Sequence, residues 1–110
     1  MNKIKLSLLF TVLSTSFAFA ECPGMTQTEL TECASIEFKQ ADAALNRVYQ
    51  SLPKTSGLIA AEKAWIAYRD KQCYNEAKMY EGGSMYSMQL LSCLTEATEH
   101  QTQMLLDSKN

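Results

Sequence analysis

Apolar residues recur at intervals of three and four from Leu30 through Ala34, Phe38, Ala41, Leu45, Val48 and Leu52, and the stripe ends at Pro53. That period predicts a helix with one apolar face. Its start is marked by Thr26-x-x-Glu29, a capping box, with Met25 and Leu30 placed as a hydrophobic staple. Asp42, Asn46 and Tyr49 form a polar stripe beside the apolar one. Residues 53–57, Pro-Lys-Thr-Ser-Gly, predict a turn in which Thr55 or Ser56 caps the next helix. The second helix is predicted from about Leu58 to Tyr80, stopping at Gly82-Gly83 because glycine accepts a left-handed conformation without penalty. Along it Leu58, Ala61, Trp65 and Tyr68 make an apolar edge. Trp65, Arg69 and Cys73, each four residues from the next, share one stripe turned toward other chain. Ser84 is the expected cap of a third helix, whose looser stripe is Met85, Met88, Leu91, Leu94, Ala97, Met104 and Leu105, and residues 107–110 should fray. No strand pattern, repeat or linker interrupts this reading. The fold class is all-α: a small antiparallel three-helix bundle with an N-terminal arm.

Short turns force antiparallel neighbours, so residues equally far from a turn centre should lie level. With the first centre near residue 55, Asp42 falls level with Arg69, Tyr49 with Glu62, and Phe38 with Cys73. Level matching favours an interhelical Asp42–Arg69 ion pair with Trp65 packed under the guanidinium and Asn46 and Tyr49 completing its hydrogen bonds, over a pocket in which Arg69 and Trp65 meet a carboxylate or carbohydrate. With the second centre near 83, Cys73 falls level with Cys93.

Composition changes the picture at the N-terminus. Lys3 and Lys5, the apolar run from Leu6 to Phe17 and the small-x-small signal Ala18-Phe19-Ala20 read as a secretory signal peptide over residues 1–20. The run is too short and too rich in Ser and Thr for a membrane span, and the acidic Glu21 ahead of Cys22 does not suit lipidation. Cleavage leaves one 90-residue domain, 21–110. In an oxidising compartment the four cysteines Cys22, Cys33, Cys73 and Cys93 imply two disulfides. Cys73–Cys93 with Cys22–Cys33 is the pairing that the levels favour. Cys33–Cys73 competes, off level by about four residues, roughly 6 Å of rise. Zinc is disfavoured by a single histidine and the lack of a Cys-x-x-Cys pair, and no cofactor is expected.

Losing Lys3 and Lys5 with the leader leaves eight basic residues against twelve acidic ones. The resulting charge of about −4 disfavours nucleic acid and anionic membrane surfaces and favours a basic protein partner. His100, the sole histidine, sits among Glu96, Glu99 and Gln103 with no matching nucleophile, so no enzymatic activity is expected. Tyr74, Met79, Tyr80, Met85, Tyr86 and Met88 gather around Gly82, Gly83 and Ser84, and such residues suit an adaptable binding surface or a small satellite core. Glu76, Glu81, Glu96 and Glu99 add an acidic face there.

Cys33-Ala34, Ala41-Asp42-x-x-Leu45-Asn46-x-x-Tyr49, Ala64-Trp65-Ile66-x-Tyr68-Arg69-Asp70-x-x-Cys73, Gly82-Gly83-Ser84 and Cys93 occur in this order. They resemble the LprI N-terminal-type domain, a family of small exported bacterial proteins named for a mycobacterial lipoprotein described as a lysozyme inhibitor. The likeness runs from about Cys22 to Leu106. Glu62 and Gln101 stand where the family usually has Gln and Arg. The resemblance implies a helical fold and a non-catalytic, periplasmic or secreted protein whose partner is lysozyme or another basic envelope protein. The alternative is an accessory envelope protein that binds another protein or peptidoglycan fragments.

Overall fold

A computed structural model describes residue 24 and residues 26–109, and among these it contains helices and turns but no strand. The expected leader, Cys22 and Met25 of the staple lie outside the described residues. Helix α1 spans Gln27–Ser51, with the Thr26 hydroxyl accepting the Glu29 N–H at 3.2 Å, so the predicted cap forms. It ends where the extended Leu52 precedes Pro53, a residue pair that disfavours further helix. The Lys54 ammonium folds back over this end, donating to the carbonyls of Tyr49 and Leu52 and lying 4.4 Å above the Tyr49 ring. A cation there satisfies carbonyls the helix leaves open and opposes its negative pole.

Helix α2 spans Ser56–Ala77, capped by Thr55, whose hydroxyl accepts from the Leu58 N–H at 3.1 Å. A 3-10 turn, Lys78–Tyr80, tightens its end, and Gly82 follows at φ +82 as the glycine pair predicts. Helix α3 spans Tyr86–Asp107. Ser84 does not cap it. The residue before α3 is Met85, without a side-chain cap, and a backbone bond from the Tyr86 N–H to the Gly83 carbonyl closes the turn instead. Ser84 lies one position too early to reach the first free N–H groups.

The helix order in space differs from the order expected. α1 and α2 each pack on α3, and no Cα of α1 comes within 8 Å of one in α2. The Gln27 amide reaches the Met88 sulfur at 3.6 Å, near the start of both α1 and α3, so these two run in the same direction. α2 runs against α3, as Arg69–Thr98, Cys73–Cys93 and Glu62–Gln101 meet in reversed order. Small side chains allow the close approach: Ala34 and Ala41 on α1, Cys73 and Ala77 on α2, and Thr95 and Thr98 on α3 are all buried. Sequence periodicity missed the two threonines. They go inside because their hydroxyls have partners: Thr95 donates to the Leu91 carbonyl at 2.9 Å, and Thr98 accepts from Arg69. Of the predicted stripes, Ala34, Ala41, Leu45 and Leu105 are buried, while Met85 just before α3, Met104 on α3 and Ala61 and Tyr68 on α2 are exposed.

The Cys73–Cys93 bridge is present, with a Cα separation of 5.5 Å, and it excludes Cys33–Cys73. Cys33 is also disulfide-bonded. Its expected partner, Cys22, lies outside the described residues.

Candidate functional site

The Trp65–Arg69–Cys73 stripe faces inward, but Arg69 does not pair with Asp42. Its Nη2 and Nε both reach Oδ1 of the adjacent Asp70, at 2.9 and 3.0 Å, and its Nη1 donates to the Thr98 hydroxyl at 3.3 Å. The guanidinium carbon lies 5.2 Å from the Trp65 ring centre and 5.5 Å from that of Phe38. Arg69 therefore touches side chains of all three helices. Phe38 arrives there one turn away from the predicted level, about 6 Å of rise, because α3 separates α1 from α2 and the rule of level residues holds only for direct neighbours. Asn46 is exposed and Tyr49 is taken up by Lys54, so neither completes the guanidinium's hydrogen bonds.

Glu62 and Gln101, the two departures from the expected pattern, meet each other. Glu62 is buried, and the Gln101 amide donates to its Oε2 at 3.2 Å.

Two hollows lie on either side of the α2–α3 hairpin. The first is a groove along both helices, made of contiguous pockets of about 170 and 240 Å³ that share Glu76, Cys93 and Glu96. Trp65 and Tyr68 line one end, and Met79 and Tyr80 the other. Tyr68 is 64% exposed and Met79 81%. Glu76 is held over the bridge. Its Oε1 accepts from Gln72 at 3.1 Å, and its Oε2 lies 3.1 Å from Cys93 Sγ, a contact rather than a hydrogen bond because a disulfide sulfur carries no hydrogen.

The second hollow, about 550 Å³, lies on the outer side of α2 and the following turn, lined by Asp70, Lys71, Tyr74, Asn75, Lys78, Glu81 and Tyr86. Tyr74 and Tyr86 meet edge to face with ring centres 6.1 Å apart. The hydrogen bond to Tyr74 pushes the Tyr86 hydroxyl up from 10.0 to about 12, with smaller contributions from burial and from the charges of Tyr74 and Glu81. The folded state thus favours the neutral phenol, so this bond contributes stability below about pH 10 that is lost as pH rises toward 12. Titrating tyrosine absorbance should show one late transition near pH 12, and Tyr74→Phe should bring it back toward 10.

The residues expected to form one surface around Gly82-Gly83 are thus divided. Glu96 and Tyr80 line the α2–α3 groove, and Glu81 and Tyr86 the outer hollow. Ser84 faces α1 beside Gln27, Thr28 and Thr31. Gly82, Gly83 and Glu99 are exposed outside both hollows. Sequence reading passed over Lys71, Asn75 and Lys78, although with Tyr74 they recur at three and four residues along α2 and into the 3-10 turn and line the hollow together. No group of metal-binding side chains occurs among the described residues, and no helix there is long and apolar enough to cross a membrane.

The sequence profile of the lysozyme inhibitor LprI family matches residues 20–105. The chain belongs to that family. It is also 34% identical over 97 residues to an uncharacterized protein of Rhizobium meliloti (strain 1021), a match covering 71% of this chain and 70% of the relative. No solved structure matches. Within the family match lie Arg69 with its aromatic partners, the Cys73–Cys93 bridge and both hollows.

Proposed function

We propose that this member of the LprI family is a non-catalytic, exported lysozyme inhibitor of the bacterial envelope that docks through the α2–α3 groove. The family match is the observation that carries the partner. The groove supports the place of contact: Glu76 and Glu96 flank exposed aromatic and methionine side chains. Acidic charge attracts a basic protein and speeds encounter, while Tyr68, Trp65 and Met79 supply apolar area. Export follows from the leader read in the sequence, which would bring the protein to the compartment where lysozyme cuts peptidoglycan.

The test is lysis of a cell-wall suspension by purified lysozymes, with and without the oxidised protein from residue 21 onward. The expected result is saturable inhibition near one-to-one stoichiometry. Glu76→Gln/Glu96→Gln should slow association roughly tenfold at low salt, an effect that fades as added salt screens the charges. Glu81→Gln/Glu99→Gln should change it less. Failure to inhibit any lysozyme class would overturn the function, and unchanged association of the Glu76/Glu96 variant would overturn the docking face.

A further inference from the structure

We infer that the hollow on the outer side of α2 is a second binding site, for a small saccharide that carries a carboxylate. Its volume, about 550 Å³, lies in the range of about 300–1,000 Å³ that small-molecule sites occupy. It shares no lining residue with the α2–α3 groove. Tyr74 is 60% exposed, yet its ring is held edge to face against Tyr86 at an interplanar angle of 74°. An exposed aromatic ring that is already oriented loses little freedom on binding. The C–H face of a pyranose carries partial positive charge, which suits the electron-rich face of such a ring.

The charges select the kind of sugar. The chain as a whole is acidic, but Asp70 is already engaged by Arg69 at 2.9 Å. That leaves the ammonium groups of Lys71 and Lys78 against the single carboxylate of Glu81 among the lining residues. Lys71 lies on α2 and Lys78 in the 3-10 turn that follows it, with Tyr74 and Asn75 between them in the lining. A ligand stacked on Tyr74 would therefore meet a cation on each flank and, at Asn75, an amide able both to donate and to accept. Ammonium-to-carboxylate hydrogen bonds are the stronger kind. A neutral sugar would forgo them.

The lysozyme reading contributes only the choice of a cell-wall sugar, because sugar binding itself is measured without lysozyme. N-acetylmuramic acid and N-acetylglucosamine differ by one lactyl carboxylate and make a direct comparison. Titrating each into the oxidised protein should shift the amide resonances of Lys71, Asn75 and Lys78. N-acetylmuramic acid should bind at least roughly tenfold more tightly. Lys71→Gln/Lys78→Gln should remove that preference with melting temperature unchanged, Tyr74→Ala should weaken both sugars, and lysozyme inhibition should be unchanged in every variant. Equal affinity for the two sugars, no binding of N-acetylmuramic acid, or a preference that survives the lysine substitutions would each overturn the proposal. Loss of lysozyme inhibition on filling the hollow would overturn its separateness from the groove.

Discussion

Arg69→Ala is expected to lower the unfolding free energy by about 2–4 kcal/mol. The side chain is only 10% exposed, and its removal acts on three helices at once. The gap between Phe38 and Trp65 loses two cation–π contacts, each worth roughly 0.5–2 kcal/mol. The fully buried Thr98 loses the donor to its hydroxyl, at a cost of roughly 1–3 kcal/mol for an unsatisfied polar group. The Asp70 contact adds little, since that carboxylate is 55% exposed and exposed ion pairs contribute about 0–1 kcal/mol. Asp70→Asn and Asp42→Asn should therefore each cost less than about 1 kcal/mol. Arg69→Lys should recover only part of the loss, because an ammonium lacks the flat surface that stacks between two rings. Urea unfolding of the oxidised proteins would check this order. A larger loss from Asp42→Asn than from Arg69→Ala would show that the charge, and not the stack, holds the centre.

Removing the Cys73–Cys93 bridge by Cys73→Ala/Cys93→Ala should cost about 3 kcal/mol. The bridge closes a separation of 20 residues, and the chain-entropy relation for a loop of that length returns about 3 kcal/mol. The architecture makes this helix pair dependent on it. α2 has no backbone neighbour in α1, its buried positions are Glu62, Cys73 and Ala77, and much of its remaining surface is exposed. Against a total stability of roughly 5–15 kcal/mol for a small domain, such a loss is large. Denaturant unfolding compared with the oxidised parent would measure it. A loss below about 1 kcal/mol would mean that α2 docks on α3 without the covalent tie. Hydrogen exchange should show α2 losing protection first, with α1 and α3 still protected through their own more extensive contact.

Local chemistry made the helices legible. Thr26 and Thr55 cap where the sequence predicts, because a hydroxyl one step ahead of a periodic run meets the free N–H groups whatever the rest of the chain does. Gly82 takes the left-handed turn for the same local reason. Cys73 and Cys93 are level across a tight turn between true neighbours, so counting residues sufficed. The candidate site was less legible. Its acids and aromatics were identifiable, but not their division between a groove and an outer hollow, because that depends on which side of α2 each residue occupies once α3 is in place.

The sequence by itself determined three helices, the caps of the first two, the turns, the Cys73–Cys93 bridge and the family, all of which rest on short-range patterns or ordered motifs. Only the tertiary structure decided that α3 lies between the other two helices, that Arg69 stacks between Phe38 and Trp65 instead of pairing with Asp42, and that Thr95 and Thr98 are core residues. The reason is physical. Two tight turns restrict helices to alternating directions but leave open which pair packs most closely. That choice follows from where small side chains and satisfied hydroxyls let backbones approach, a property of two surfaces together and of neither sequence segment alone.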